Sequence, residues 1–357
     1  MELSKEEYKQ YSRHILLDTI GEAGQLKLKK ARVLVIGAGG LGCPILQYLT
    51  AAGVGTIGII DHDRIDQSNL QRQVLYTMED IGEYKALTAQ RRLAKLNPYI
   101  NFEVHVAQLS RLNALELFEK YDIIVDGSDN FETRYLTNDA AVLTGKPLVY
   151  GAIFKFEGQV SVFNYQGSAS YRCLYPTPPN PEESPNCSEI GVLGVLPGII
   201  GSLQANEVIK IICGIGRVLT NTLLMYDVLN QRQFQLKYQK TAEAVVTELL
   251  DDYRVFCGIP TSKEEQQISW GELEGRLESF QLLDVRALWE RDQFNIGGLH
   301  IPLAALRSEH QKIPSDQPLV VYCKSGGRSS NAMAVLQELR PELEVYNLIG
   351  GMDAVQA

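Results

Sequence analysis

Two short segments of the sequence combine residue types that perform chemistry. The first is a G-x-G-x-x-G pattern between an apolar β-branched run and a helical pattern, with glycines Gly37, Gly39, Gly40 and Gly42. Such glycines permit a tight turn and a close backbone approach to phosphate at a helix N-terminus. Asp61, nineteen residues after Gly42, ends the next apolar run, where a carboxylate can accept hydrogen bonds from ribose. These features alone fit NAD, FAD or ATP equally.

Further polar residues favour a polyphosphate ligand. Open α/β sheets bind ligands at the carboxyl ends of their strands, so polar residues that follow strands should converge there. An Asn, an Arg, a Lys and an Asp around a nucleotide form a site for polyphosphate and Mg²⁺. A nicotinamide site would need an apolar pocket and an acid or base for hydride transfer. We therefore predict ATP and Mg²⁺, with an NAD-dependent oxidoreductase as the alternative; the residues concerned are Asn69, Arg72, Gln73, Lys85, Asp129 and Asn130.

The second segment, Cys323-Lys-Ser-Gly-Gly-Arg328, follows an apolar run and precedes a helical pattern. Successive backbone N–H groups in such a loop form an anion-binding nest, and a thiolate or persulfide is such an anion. Protein-tyrosine phosphatases place five residues between Cys and Arg, whereas this loop has four. The pattern favours sulfur transfer, with a phosphatase or an inert buried cysteine as alternatives.

The elements that position these segments alternate between strands and helices up to about residue 150. This alternation predicts an α/β fold with a doubly wound, mostly parallel, Rossmann-like sheet. After Gly151, short alternating strands without intervening helices predict an antiparallel extension, apart from an apolar helix over 196–213. We predict a first domain over 1–245, a polar linker over 246–267 and a small α/β domain over 268–357, with residues 1–30 helical and a proline-rich loop over 165–190.

Composition narrows the class of protein. The formal charge is −9, and the sequence has no block of Lys and Arg residues. Such a block would indicate a surface for nucleic acid or an anionic membrane. The N-terminal residues do not read as a signal peptide, and the apolar stretches are shorter than a membrane span. Six cysteines in 357 residues do not form a disulfide framework. We expect a cytoplasmic protein without nucleic-acid or membrane partners, with Cys43 and Cys213 in the core.

The residues around the glycine loop resemble the family of molybdopterin-synthase adenylyltransferases, thiamine-pathway ThiF proteins and ubiquitin-activating enzymes, over roughly residues 5–260. The resemblance implies that Asp129 binds Mg²⁺ and that Asp61 holds ribose. It also implies that Asn69, Arg72 and Lys85 bind the triphosphate. Arg13, in Tyr11-Ser-Arg-His, matches an arginine that reaches the nucleotide of the partner subunit in a homodimer.

The reaction implied by this resemblance joins ATP to the C-terminal glycine of a ubiquitin-like sulfur carrier that ends in Gly-Gly. A carboxylate is already ionised at pH 7, so no general base is required. Arg72, Lys85 and Mg²⁺ on Asp129 would neutralise the two anions and stabilise the departing pyrophosphate. A catalytically silent docking module for a ubiquitin-like protein is the remaining alternative.

The cysteine loop resembles that of the rhodanese family, and the resemblance covers roughly 268–357. It implies a persulfide on Cys323, stabilised by Arg328, and a persulfide donor such as a cysteine desulfurase. A persulfide that attacks the acyl-adenylate gives an acyl disulfide, and reduction then releases a thiocarboxylate. Cys187 matches a family cysteine that attacks the adenylate or resolves the disulfide, although a plain loop cysteine is the alternative.

Zinc is where the sequence departs from many relatives, which carry two C-x-x-C pairs. Here Cys173 would pair with Pro176, and Cys257 with Pro260. Two thiolates do not complete a tetrahedral site, so zinc is not expected. The pathway of the carrier stays open between molybdopterin, thiamine, tRNA thiolation and cysteine synthesis, and the motifs favour molybdopterin.

Overall fold

A computed structural model describes residues 2–179, 191–258 and 266–356. The chain divides into two compact units, residues 1–257 and 258–357. Each unit has its own sheet and its own hydrophobic core.

The first unit is built on an eight-stranded sheet in the order β3-β2-β1-β4-β5-β6-β7-β8. The strands from β3 to β5 in that order pair in parallel, and β5 to β8 pair antiparallel. This arrangement confirms the predicted Rossmann-like sheet with an antiparallel extension. The strands are β1 Arg32–Ile36, β2 Thr56–Ile60, β3 Asn101–His105, β4 Ile123–Asp126, β5 Leu148–Phe154, β6 Glu157–Phe163, β7 Thr222–Asp227 and β8 Arg232–Lys237.

The helices of the first unit differ from the prediction mainly where they are short. The helical stretch predicted over 1–30 is three helices, and the predicted loop over 165–190 begins with a four-residue helix. Residues 180–190 of that loop lie outside the described residues. The helices are α1 Lys5–Gln10, α2 Ser12–Ile15, α3 Gly21–Lys30, α4 Gly42–Ala52, α5 Lys85–Leu96, α6 Ala114–Glu119, α7 Phe131–Leu143, α8 Tyr171–Leu174, α9 Val195–Cys213 and α10 Tyr253–Phe256.

Helix α9 is long and apolar enough to span a membrane by length and composition. In the structure it packs on the sheet where two glycines remove the side chains that would obstruct it. A methyl group at Gly151 would lie 2.3 Å from Gln204 Cδ, and one at Gly158 would lie 2.3 Å from Ile200 Cδ1. Both α9 residues are completely buried, so α9 is the core helix of this unit.

Residues 246–257 of the predicted linker lie within the first unit. Helix α10 packs against α7, where the buried Tyr253 donates a hydrogen bond from its hydroxyl to Asp139 Oδ2 at 2.8 Å. The polar composition of the segment gives no sign of this buried contact.

The second unit is a five-stranded parallel sheet in the order β11-β10-β12-β13-β9. Its central strand leads directly into the loop that carries Cys323. The elements are β9 Gln267–Ile268, α11 Trp270–Glu274, β10 Gln281–Asp284, α12 Leu288–Gln293, β11 Leu299–His300, α13 Leu303–Glu309, β12 Leu319–Tyr322, α14 Gly327–Leu339, β13 Val345–Leu348 and α15 Gly351–Val355.

The first turn of α4 gives a testable prediction about stability. A methyl group at Gly42 would lie 2.0 Å from the carbonyl oxygen of Gly37, whereas one at Gly39 would meet only Gln73 Nε2 at 3.6 Å. We expect Gly42→Ala to lower the free energy of unfolding by about 1–3 kcal/mol, as overpacking does. Gly39→Ala, the matched control, should change it little. Urea denaturation measures both, and equal effects would contradict the steric argument.

Candidate functional site

The glycine loop connects β1 to α4 and is held from two sides. Gly37 adopts φ +87°, a conformation that favours glycine. Asp61 Oδ2 accepts a hydrogen bond from the Ala38 N–H at 2.7 Å, and its Oδ1 accepts one from the Asp63 N–H at 2.7 Å. Burial raises the pKa of Asp61, while the charge of Lys85 and these N–H groups oppose the rise. The structure therefore brings Asp61 to the loop, where it also shapes the turn.

Lys85 is buried at the start of α5, and its ammonium group already has a partner. Lys85 Nζ lies 2.7 Å from Asp63 Oδ2, and the Lys85 N–H donates to the Asp63 carbonyl oxygen at 2.9 Å. Burial alone would raise the pKa of Asp63, but the charge and hydrogen bond of Lys85 lower it overall. Sequence reasoning missed Asp63, although its position two residues after Asp61 was a usable signal.

The segment around Arg72 faces the glycine loop. The carbonyl oxygen of Asn69 accepts from the N–H groups of Arg72 at 3.0 Å and Gln73 at 2.9 Å, which fixes a compact turn. A methyl group at Gly40 would lie 3.6 Å from Arg72 Cγ, so the arginine stem lies beside the loop. Gln73 is buried, and its Oε1 has no hydrogen-bond partner within the described residues. The structure thus brings this segment and the glycine loop together.

Asp129 and Asn130 lie between β4 and α7 but differ in role. Asp129 is exposed, and its carboxylate forms no hydrogen bond or ion pair with any residue that the structure describes. A free, hydrated carboxylate suits Mg²⁺, which is usually held by one or two carboxylates together with substrate phosphates. Asn130 Oδ1 instead accepts from the Thr133 N–H at 2.9 Å and caps α7. Asp129 is the residue here that would hold Mg²⁺.

A buried polar group at the end of β4, missed by the sequence reasoning, supports the Asp129 turn. Asp126 Oδ1 accepts from the Ser128 N–H at 2.9 Å and from its hydroxyl at 2.6 Å. The carbonyl oxygen of Asp126 accepts from Gln204 Nε2 at 2.7 Å. Burial raises the pKa of Asp126, while the positive charge of Arg134 opposes the rise. A carboxylate at the last position of a buried strand was the signal available in the sequence.

Arg13 is the one predicted nucleotide contact that the structure does not bring to the glycine loop of its own chain. It is exposed on α2, and neighbouring Tyr11 packs against Gly53 at the C-terminal end of α4. The glycine loop is at the other end of that helix, about 16 Å away at 1.5 Å per residue.

The cysteine loop joins β12 to α14. Cys323 is buried, and its Sγ accepts from the Gly326 N–H at 3.1 Å and from the Ser329 hydroxyl at 3.4 Å. The carbonyl oxygen of Cys323 in turn accepts from the Met352 N–H at 2.9 Å. One backbone N–H and one hydroxyl thus donate to the sulfur, and such donors favour an anionic sulfur.

Arg328 is paired with a carboxylate and has no hydrogen bond to Cys323 Sγ among the described contacts. Its guanidinium forms a two-pronged ion pair with Glu290, with both N–O distances at 2.6 Å. Burial alone would raise the pKa of Glu290, but Arg328 lowers it overall. The pair is neutral, so in this structure the Gly326 N–H and the Ser329 hydroxyl, rather than Arg328, donate to the sulfur.

The other cysteines fall into three groups. Cys43 and Cys213 are buried in the core, as predicted. Cys187 and Pro260 lie outside the described residues. Cys173 is half-buried beside the Ser170 hydroxyl at 3.5 Å, and Cys257 is buried.

Cys173 and Cys257 are the two cysteines at the positions of the relatives' C-x-x-C pairs. Within residues 2–179, 191–258 and 266–356, neither thiol belongs to a cluster of three or more ligand residues. An ionic network joins the helix that carries Cys173 to the helix that precedes Cys257. Asp139 accepts two hydrogen bonds from Arg172, both at 2.7 Å, and one from Tyr253. The Arg172 guanidinium also lies 5.0 Å from the Tyr135 ring centre and 4.7 Å from that of Phe256. This network links α8 and α10 to α7.

Comparison with known proteins gives two family matches, to the ThiF family over residues 11–245 and to the rhodanese-like domain over residues 269–357. A probable adenylyltransferase/sulfurtransferase MoeZ from Mycobacterium tuberculosis is 46% identical over 352 residues, covering 94% of this chain and 90% of the relative. A sulfur carrier protein adenylyltransferase from Thermus thermophilus is 50% identical, covering 72% and 100%. The mouse adenylyltransferase and sulfurtransferase MOCS3 is 40% identical, covering 99% and 86%.

Solved structures show the same fold at lower identity. The Escherichia coli MccB structure with ATP aligns with a TM-score of 0.60 and 22% identity. The alignment covers 68% of this chain and 75% of that one.

The Asp139 network predicts a stability that does not depend on metal. Asp139→Asn removes the charge partner of Arg172, whose side chain is 13% exposed, and should lower the free energy of unfolding by about 3–5 kcal/mol. The control Glu116→Gln, in an exposed pair with Lys120, should leave it unchanged. Urea denaturation is the measurement. If adding a chelator lowers the urea midpoint of unfolding, the prediction that stability here does not depend on metal is contradicted.

Proposed function

Since the chain belongs to the ThiF family and continues into a rhodanese-like domain, we propose that it joins two reactions. It adenylates the C-terminal glycine of a ubiquitin-like sulfur carrier with ATP. It then transfers sulfur from a persulfide on Cys323 to the activated carboxylate. The chain is thus an adenylyltransferase and a sulfurtransferase, as its relatives are named.

The observation that carries the first activity is the free Asp129 carboxylate beside a turn that is fixed to the glycine loop. A methyl group at Gly37 would lie 3.6 Å from the Ser128 N, so the two turns are in contact. Lys85 and Arg72 supply positive charge at the same edge of the sheet. Electrostatic groups without a dedicated base suit a reaction whose nucleophile is already an anion.

In the adenylation step, a carboxylate oxygen attacks the α-phosphorus of ATP and pyrophosphate leaves, so no proton is transferred. Lys85 exchanges its Asp63 partner for a phosphate oxygen. Mg²⁺ held by Asp129 supplies further positive charge to the phosphates when bound. The charges of Lys85 and Asp129 at this edge of the sheet are therefore compatible with adenylation.

In the sulfur step, the terminal sulfur of a Cys323 persulfide attacks the acyl carbonyl, and AMP leaves. A second thiol then attacks Cys323 Sγ, which releases the thiocarboxylate and leaves a disulfide. We assign the second thiol to Cys187, and the persulfide donor to an enzyme such as a cysteine desulfurase. The donors on Cys323 Sγ support this role because they stabilise a sulfur anion.

The names of the relatives favour this function over an NAD-dependent oxidoreductase and over a silent docking module. We also propose a homodimer in which Arg13 reaches the partner's nucleotide, since Arg13 is exposed and distant from its own glycine loop. The described cysteines are free thiols, which supports a cytoplasmic location. Among the carrier pathways, we favour molybdopterin synthesis.

Removing the Asp129 carboxylate tests the adenylation step. Asp129→Ala should lower ATP–pyrophosphate exchange, measured with sulfur carriers ending in Gly-Gly, by at least about 10²-fold. Carrier binding, measured by calorimetry, should be retained. The matched control is Glu119→Gln, an exposed carboxylate elsewhere on the first unit. Full exchange activity in Asp129→Ala would contradict its role.

Removing the Cys323 thiol separates the two reactions. Cys323→Ser should retain pyrophosphate exchange and lose thiocarboxylate formation, because an alkoxide cannot carry the persulfide. Mass spectrometry of the carrier after incubation with ATP and a persulfide donor detects the product. Cys173→Ser serves as the control thiol. An unchanged yield in Cys323→Ser would show that sulfur reaches the carrier by another route.

A further inference from the structure

Arg134 is a buried cation that forms no ion pair with any carboxylate of the described residues. It lies in the N-terminal part of α7, five residues after Asp129, and is only 8% exposed. Its one hydrogen bond to another described residue joins Nη2 to the Ser128 carbonyl oxygen at 3.5 Å. Its Nε has no partner in the part of the chain that the structure describes. Burial of a charge is costly unless a partner compensates it, so this arrangement needs an explanation.

Two other arginines of the chain with little exposure show what a structural role looks like: the side chain of Arg172 is 13% exposed and that of Arg286 is 5% exposed. Arg172 is paired through two nitrogens with Asp139, and Arg286 through two nitrogens with Asp284. Each thus has the two-pronged ion pair that a guanidinium prefers. Among residues 2–179, 191–258 and 266–356, Arg134 has no such pair, so its donors are available to an anionic ligand.

The surroundings of Arg134 compensate its charge only in part. Its guanidinium lies 5.4 Å from the Phe131 ring centre and 5.7 Å from that of Tyr150. Such contacts contribute about 0.5–2 kcal/mol, less than a buried ion pair requires. Asp126 and Asp129 are near enough to act on Arg134 through their charge, but neither forms an ion pair with it. The position therefore favours an anionic ligand.

We propose that Arg134 binds the C-terminal carboxylate of the carrier protein and holds it for attack on the α-phosphorus. The proposal rests on the adenylation function and names the residue that contacts the second substrate. Lys85 and Arg72 lie by the glycine loop and serve the phosphates, which leaves the carboxylate without a cation of its own. Arg134 follows Asp129 on the same segment, and its planar guanidinium matches a carboxylate through two hydrogen bonds.

The chemistry of the step is compatible with this contact. One carboxylate oxygen forms the new bond to phosphorus as the bond to pyrophosphate breaks. The other oxygen becomes the acyl carbonyl and continues to accept from Arg134. No proton, oxidant or reductant is consumed. Arg134 thereby offsets the repulsion between two anions before the reaction and polarises the carbonyl for sulfur attack after it.

The test is a double-mutant cycle between Arg134 and the carboxylate. A sulfur carrier that ends in Gly-Gly is prepared with a free C-terminus and with a C-terminal carboxamide. Calorimetry measures binding of both forms to the wild type and to Arg134→Gln. We expect the wild type to prefer the free acid by about 10–100-fold, as loss of a buried charge partner implies. Arg134→Gln should bind both forms equally and weakly.

Kinetic controls separate this role from a structural one. Arg134→Gln should raise the KM for the carrier while the Kd for ATP stays within about twofold of the wild type. Arg134→Lys, which keeps the charge, should restore part of the preference for the acid. The control Arg217→Gln replaces an exposed arginine and should change nothing. If Arg134→Gln fails to fold, the proposal is tested by the affinities of the acid and the amide for the wild type and for Arg134→Lys.

Three results would overturn the proposal. The first is a wild type that binds the acid and the amide with equal affinity. The second is an Arg134→Gln variant that keeps the preference for the acid. The third is an Arg134→Gln variant in which the affinity for ATP falls and the affinity for the carrier does not. A wild type that prefers the acid yet gives no pyrophosphate exchange would contradict the adenylation function and not the carboxylate contact.

Discussion

The first unit depends on the absence of side chains where β1 and β4 end. Gly42 lies against the carbonyl oxygen of Gly37, and a methyl group at Gly127 would lie 2.9 Å from the carbonyl oxygen of Ile36. The turns after the two strands therefore interlock with almost no space between their backbones. Asp61 secures one turn and Asp126 the other, each through backbone N–H groups. Because the turns are in contact, the position of Asp129 relative to the glycine loop is set by backbone packing.

Some charged groups at the two sites form ion pairs in the absence of substrate, and others do not. Lys85 is paired with Asp63, and Arg328 with Glu290. A ligand that uses either cation must replace a carboxylate, so part of its binding energy is spent on the exchange. Asp129 and Arg134 have no such partner among the described residues. The ion pairs neutralise the charges of Lys85 and Arg328 before a ligand binds. The unpaired groups are instead preorganised for ligands of opposite charge.

How much the sequence could predict depended on whether a feature is local. The glycine loop, Asp61 and the start of α5 at Lys85 follow from short-range periodicity and turn chemistry. The contact of Tyr253 could not be predicted from local sequence, because its partner Asp139 is 114 residues away. The direction of Arg328 likewise depends on Glu290, 38 residues earlier. Sequence patterns place a charged residue at a strand end, but its partner is selected by tertiary packing.

The presence of both activities in one chain follows from the reactivity of the intermediate. An acyl-adenylate is lost to water unless a nucleophile reaches it quickly, and tethering raises the effective concentration of that nucleophile to roughly millimolar values. The nucleophile needs protection as well, because a persulfide reacts readily with other thiols. Cys323 is only 1% exposed, and its Sγ accepts from the Gly326 N–H and the Ser329 hydroxyl, so small thiols have limited access to it. Sulfur transfer then requires a substrate with an extended, narrow end, and a flexible tail that terminates in glycines has that shape because glycine has no side chain.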